Sequence, residues 1–272
     1  MGKYLGQHFL INKDKLREIV ETLELKSGDA VIEIGPGHGE LTDELRIKNN
    51  ELRIIAIEKD KKLADSLKEK FSGNKNIKII HADVLKILPS IIHNSSFIIR
   101  GYKIVGNIPY YITGYLLRIL GELENKPLLI VLTVQKEVAE RICGAPPKMN
   151  LLAASVQFWA EPKIVDYISK RDFQPRPKVD SAIIKLTPKP STLNVKPYYR
   201  LIKILFKQLR KTILNNLINA DLCGFERRLT QIDRKVDRKE KIKEKLDKLG
   251  INPNARPQDL SIQQIKKLVL IY

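Results

Sequence analysis

Apolar residues recur along the chain with two periods, and the changes between them mark out elements. Leu16, Ile19, Val20 and Leu23 share one face at helical spacing, so residues 13–25 read as a helix. Short apolar runs and amphipathic stretches then alternate. Residues 30–34 (Ala-Val-Ile-Glu-Ile) read as a strand, 39–49 as a helix, 53–58 as a strand, 60–71 as a helix and 77–80 as a third strand. Residues 97–99 and 102–106 supply further apolar runs, the second ending at Asn107; 112–123 reads as a helix and 127–134 as an almost wholly apolar strand. Strands apolar on both faces, separated by helices, predict a parallel sheet covered by helices on each side. Residues 153–159 and 182–187 read as two late strands forming an antiparallel edge. The stretch Pro188-Lys189-Pro190-Ser191-Thr192, with Pro197 after it, marks a linker. Beyond it the pattern is helical at 197–221, about 225–232, 238–249 and 261–271. The expectation is a doubly wound α/β domain over residues 1–188 and a small all-helical domain over 189–272.

Length and charge sharpen this picture. A chain of 272 residues suits two domains and buries a core without disulfide or metal staples. Lys and Arg total 49 against 31 Asp and Glu, a net +18; residues 191–272 alone hold 19 basic and 8 acidic residues, and so +11 of that excess. A basic helical tail of this kind points to a polyanionic partner, nucleic acid above all. Cys143 and Cys223 make no disulfide framework, and neither has His or Cys at ligand spacing, so no metal is expected and a reducing cytoplasm fits. The start, Met1 to His8, has no apolar segment of a secretory signal, and no apolar run reaches the roughly 18 residues that span a bilayer. No membrane association is expected, and nothing in the sequence suggests a dimer interface, so the expected state is a monomer.

Candidate chemistry begins where the first strand ends. Gly35, Gly37 and Gly39 in Glu33-Ile-Gly-Pro-Gly-His-Gly39 let the backbone turn tightly and approach a ligand before a helix whose first N–H groups are free. The G-x-G-x-G spacing differs from the dinucleotide G-x-G-x-x-G. Glu58 lies 19 residues past Gly39 at the end of the second strand, where an acid can accept two hydrogen bonds from a ribose diol. Asp83, closing the third strand, can accept from an exocyclic adenine amine. Together they describe an adenosyl ligand. No phosphate-binding lysine follows the glycines, which disfavours ATP; NAD stays open on these residues alone.

Asn107-Ile108-Pro109-Tyr110 follows the fourth strand. An exocyclic adenine amine is a poor nucleophile because its lone pair is delocalised into the ring. A site that methylates it needs acceptors for the amine hydrogens, which favour a more tetrahedral nitrogen. The Asn107 side-chain oxygen and a backbone carbonyl of the Ile108–Pro109 turn can supply them. Proline fixes the turn and pushes Ile108 extended, and Tyr110 offers a ring face to a flipped-out base. No general base is then needed in the transition state; alignment and charge stabilisation suffice.

These residues resemble the rRNA adenine N6,N6-dimethyltransferases, which dimethylate adjacent adenosines near the 3′ end of small-subunit rRNA. The resemblance runs nearly end to end. It covers Gly6-Gln-His-Phe-Leu10, the loop from Glu33 to Thr42, the turn from Asn107 to Tyr110, and Phe173-Gln-Pro-Arg-Pro-Lys-Val-Asp-Ser-Ala182. It continues through Leu205 to Leu217 and Ala255 to Ser261. It implies a Rossmann-like methyltransferase that uses S-adenosylmethionine, with contacts from His8, Leu10, Gly35, Gly37, Glu58, Asp83 and Asn107. Asn107, Pro109 and Tyr110 would hold the target amine and base, Phe173 would be a second stacking surface, and Arg210 and Lys211 would contact phosphates. The implied partner is small-subunit rRNA within a pre-ribosomal particle. Three positions depart from the family: His8 stands where Asn is usual, Ile108 where Leu is common, and Leu209 where a second Arg is frequent. Which ring nitrogen of His8 faces the cofactor is open. Two other functions share these features. One is a macrolide-resistance methyltransferase of large-subunit rRNA, against which the C-terminal signatures weigh. The other is a non-catalytic assembly factor, which predicts a decayed loop or turn; both are intact here.

Overall fold

The computed structural model describes residues 7–94, 101–190, 195–219 and 231–270. Gly6, the apolar run 97–99, the linker residues Ser191 and Thr192, Cys223 and most of the helix expected at 225–232 lie outside the described residues.

The chain begins with β1 (Phe9–Leu10), α1 (Lys13–Thr22), β2 (Ala30–Ile34), α2 (Glu40–Lys48), β3 (Arg53–Glu58), α3 (Lys61–Lys70) and β4 (Ile77–His81). It continues through α4 (Val84–Asn94), β5 (Tyr102–Asn107), α5 (Thr113–Glu122), β6 (Leu129–Gln135) and α6 (Lys136–Ile142). Then come α7 (Leu151–Gln157), β7 (Ala160–Ile168), β8 (Phe173–Gln174) and β9 (Ser181–Pro188). The last helices are α8 (Val195–Leu205), α9 (Ile213–Ile218), α10 (Gln231–Lys248) and α11 (Ile262–Val269).

Seven strands form one sheet in the order β4-β3-β2-β5-β6-β9-β7. The first five run parallel, and β9 joins antiparallel to both β6 and β7. The apolar reading of the central strands follows from this placement. Val31 and Ile32, Ile104 and Val105, Ile130 and Val131 are all fully buried, as strands covered on both faces must be. Helix starts are set by side-chain caps. Asn12 accepts from the amides of Asp14 and Lys15, Asp60 from those of Lys62 and Leu63, and Asp83 from that of Leu85. From β2 the chain moves outward to β3 and β4 on one side, then returns to β5 on the other. Strand order therefore reverses between β2 and β5, where ligands of such sheets bind beyond the carboxyl ends.

Three expectations are corrected. Residues 153–159 are not a strand. Asn150 caps a helix there, its side chain accepting from Leu152 and Ala153 N–H at 3.0 Å, and Leu151 to Ala154 are good helix formers. The second antiparallel strand is β7, which carries Glu161, Pro162, Lys163 and Asp166 and a register shift between Ile164 and Asp166; charges, proline and a bulge belong to an edge. The helix expected over 197–221 is broken at 206–212. There the buried Asn216 donates from Nδ2 to the carbonyls of Gln208, Lys211 and Thr212 at 3.1–3.4 Å, and Thr212 caps α9.

The chain divides into two compact units, Met1–Glu140 with Ala160–Lys189, and Arg141–Trp159 with Pro190–Tyr272. Residues 141–159, expected in the first domain, pack instead with the second unit. Tyr198 stacks on Phe158 at 3.9 Å between ring centroids, and its hydroxyl donates to the Ala154 carbonyl at 2.8 Å.

Candidate active site

The carboxyl ends of β2, β3, β4 and β5 open into one cleft. His8, Leu10, Gly35, Gly37, Glu58, Asp83, Asn107, Pro109 and Tyr110 all line it.

The glycine loop is shaped by its neighbours. Gly35 and Gly37 have φ of 67° and 62°, conformations that disfavour a side chain. At Gly37 a Cβ would also stand 2.7 Å from the Phe9 ring, so the loop and the N-terminal segment approach only because Gly is there. His38 packs on Phe9 too, its ring centroid 4.4 Å from that of Phe9. Glu58 is 2 % exposed, and each carboxylate oxygen accepts one backbone N–H: Oε2 from Gly37 at 3.2 Å, Oε1 from Asp60 at 2.8 Å. A carboxylate has about four acceptor sites, so both oxygens keep capacity for a diol. Burial pushes the Glu58 pKa above the usual carboxylate value, against the pull of those amides. Burial also opposes the charge on Asp83, but the Lys59 ammonium at 2.9 Å and the Leu85 amide outweigh it and hold the carboxyl below its usual pKa.

The Asn107 turn is held from behind. Its Nδ2 donates to the His8 carbonyl at 2.9 Å. A carbonyl only accepts, so this bond fixes which end of the amide is nitrogen and leaves Oδ1 as the acceptor for a ligand. The Pro109 carbonyl accepts from Ile112 N–H at 3.1 Å; among the described residues no backbone N–H is bonded to the Ile108 carbonyl. Tyr110 shares a hydrogen bond of 2.7 Å with the buried Ser181 and stacks on His8, ring centroids 5.9 Å apart. Desolvation raises its hydroxyl pKa. His8 Nδ1 lies 2.7 Å from the Pro175 carbonyl. A carbonyl only accepts, so Nδ1 carries the proton and, in the neutral ring, Nε2 is the acceptor.

Phe173 is the exception. It is 3 % exposed, pairs with Leu10 across the β1–β8 ladder and belongs to the apolar cluster of Leu16, Ile19 and Val31. It stands behind the cleft wall, not on it. Arg210 and Lys211 lie in the second unit, exposed in the turn that Asn216 holds.

Across residues 2–264 the chain matches the family of ribosomal RNA adenine dimethylases. It belongs to that family. Similar proteins include the ribosomal RNA small subunit methyltransferase A of Dehalococcoides mccartyi strain CBDB1, 39% identical over 99% of this chain and 88% of its own length. That of Bacillus pumilus is 37% identical over 98% and 89%. Among solved structures, a dimethyladenosine transferase from Plasmodium falciparum superposes with a TM-score of 0.81 at 26% identity, covering 97% of each chain. The 23S rRNA methyltransferase ErmE reaches 0.70 at 26% identity, covering 96% of this chain and 98% of its own.

Within this dimethylase the sequence-derived residues leave three supports unassigned. Phe9 bears on the glycine loop, Ser181 holds the Tyr110 hydroxyl, and Glu33 lies fully buried beneath the loop with Thr42 donating to it at 2.7 Å. Ser181 and Glu33 sit inside the motifs that carry the family resemblance, but only their burial separates support from contact. Among the described residues no cluster of His, Cys, Asp or Glu could hold a metal, and no helix is long and apolar enough to cross a membrane.

Proposed function

We propose that this protein transfers methyl groups from S-adenosylmethionine to the N6 amines of two adjacent adenosines near the 3′ end of small-subunit rRNA, two to each, during ribosome biogenesis. The observation that carries the reading is the joining, in one cleft, of the glycine loop and Glu58 with an Asn107 amide whose orientation is fixed from behind. The residues fit the cofactor. The positive-φ glycines bring bare backbone to the cleft, the Glu58 oxygens can take the ribose diol, and Asp83, Leu10 and His8 line the remaining space for the adenine and the chain of the amino acid. When bound, the cofactor supplies an electrophilic sulfonium methyl group.

The chain's own part is to hold and orient. Asn107 Oδ1 and the Ile108 carbonyl accept the two amine hydrogens, which turns the nitrogen lone pair out of the ring and toward the methyl donor. The base stacks on the face of Tyr110 turned away from His8, and Ser181 keeps that ring from rotating. Rate comes from alignment and from acceptors already in place. After the first transfer one N–H remains, so one acceptor suffices for the second. Phe173 supports this wall by packing, and Arg210 and Lys211 serve the RNA backbone.

A radiolabelled methyl-transfer assay tests the proposal, using undermethylated small subunits, mature subunits, protein-free small-subunit rRNA and large-subunit rRNA. Label in N6,N6-dimethyladenosine of undermethylated small-subunit material is expected. Label confined to large-subunit rRNA would replace the substrate with the one named for ErmE, and no label would reduce the protein to a binding factor.

A further inference from the structure

The outward face of α5 and of the turn that leads into it has an unusual composition. Tyr111, Gly114, Tyr115 and Arg118 recur at helical spacing and are all exposed, while Ile112, Thr113, Leu116, Leu117 and Leu120 are buried. A solvated helix face is ordinarily charged and polar. Here two tyrosines stand 62% and 56% exposed. Among the described residues neither hydroxyl is hydrogen-bonded to the chain and neither ring is stacked on another. Gly114 lies between them in sequence, and a Cβ there would meet nothing within 4 Å, so no side chain fills the face at that position. Tyr111 lines the cleft directly after Tyr110, and Tyr115 lies one helical turn farther along α5. Lys59 borders the same cleft near Tyr111, and Arg118 extends the face with a half-exposed guanidinium ion-paired to Glu122 at 3.0 Å.

We propose that Tyr111 and Tyr115 form a stacking platform for the unpaired nucleotides that flank the target adenosine. The inference rests on the adenosine methyltransferase reading. A base drawn out of its stack deprives both neighbours of a stacking partner. Aromatic faces beside the catalytic turn replace what is lost, whatever the neighbouring base, because every base has a π-face. Residues 1–190, which include this face, hold 30 basic and 23 acidic residues, a net +7, and that sign suits an RNA strand better than a basic protein surface.

The test uses the full-length protein and a short adenosine-containing oligoribonucleotide with 2-aminopurine beside the target, in five forms: wild type, Tyr111→Ala, Tyr115→Ala, Tyr111→Phe and Tyr115→Phe. S-adenosylmethionine affinity and melting temperature are measured in parallel. Each Ala variant is expected to weaken RNA binding about tenfold and to release the 2-aminopurine quenching, while each Phe variant keeps both within about twofold. Tyr115→Ala, outside the cleft, is expected to keep its cofactor affinity and melting temperature. RNA affinity unchanged in both Ala variants would overturn the platform, as a surface for a protein partner would also give. Loss in the Phe variants equal to that in Ala would overturn it too. A wild type that neither binds nor methylates any RNA would instead overturn the reading on which the platform rests.

Discussion

At Asn107 the side-chain amide has two ends of opposite hydrogen-bonding character, and the His8 carbonyl decides which one faces the cleft. Asn107→Ala removes an acceptor made useful by that choice, so methyl transfer is expected to fall by about 100-fold or more, by analogy with losing one preorganised polar group. Cofactor binding, which the proposed reading assigns also to Glu58 and the glycine loop, should weaken yet stay measurable by calorimetry; full activity would show that the amide does not hold the amine. The motif was legible because Asn, Pro and Tyr in that order imply a turn with an acceptor and a ring. The amide's orientation was not, since it depends on a carbonyl nearly one hundred residues away. Glu33 shows the same limit. In the sequence it is one more residue before the glycines; in the fold it is fully buried, and desolvation pushes its pKa up to about 8 despite the Thr42 hydroxyl. Below pH 4.5 the folded and unfolded chains both hold its proton, and between there and about 8 only the folded chain does. Folding stability should therefore decline as pH rises through that window, by at most about 1.4 kcal/mol per unit from this group. Glu33→Gln should flatten that decline in denaturant titrations at pH 5.5 and 8, and an unchanged slope would assign the pH dependence elsewhere.

Two-residue strands carry little periodicity, and β1 and β8 are an example. Phe9 pairs with Gln174 and Leu10 with Phe173, which clasps the N-terminal segment to the wall of the cleft. His8 then reaches the Pro175 carbonyl, Tyr110 and Asn107 from this clasp. Family resemblance gave Phe173 a stacking role; the ladder gives it a packing role, and two substitutions tell them apart. Phe173→Leu keeps apolar bulk, so transfer should remain within a fewfold of wild type. Phe173→Ala should cost about 3–5 kcal/mol of stability, as large-to-small changes in cores do. Activity lost in the Leu variant with its melting temperature intact would restore the stacking role. Longer elements were legible in proportion to how fully the sheet buries them. The runs that became β2, β3, β5 and β6 are apolar on both faces and read directly. β7, an edge strand with Pro162 and three charged residues, did not, and its place was given to Ala-Ala-Ser-Val-Gln-Phe-Trp. The signal that corrects the error is Asn150, whose side chain begins a helix there.

Across the whole molecule, net charge announced a polyanionic partner before any motif did, and it says how binding should respond to salt. Neutralised phosphates release counterions, so the logarithm of affinity falls linearly with the logarithm of salt concentration, by about 0.7 per contact for single strands and 0.9 for duplexes. Composition located the basic excess in the last 82 residues but not the side chains that use it. The break between α8 and α9 narrows the choice. Asn216 draws three carbonyls inward, and the turn it closes presents Arg210 and Lys211 outward, neither within salt-bridge distance of a carboxylate among the described residues. Many other basic residues are compensated locally, as Lys59 is by Asp83 and Lys70 by Asp43. An unpaired cation held on a rigid turn gains a full partner when a phosphate arrives, whereas a paired one must first give up its carboxylate. Replacing Arg210 and Lys211 together by Ala should therefore make the salt slope shallower by about 1.4 to 1.8 and weaken RNA binding most at low salt. The S-adenosylmethionine affinity, which the proposed reading places at the ends of β2, β3 and β5 in the other unit, should stay as it is. A double variant with the wild-type slope would place the phosphate contacts elsewhere on the basic surface, with the lysines of α10 as the next residues to replace.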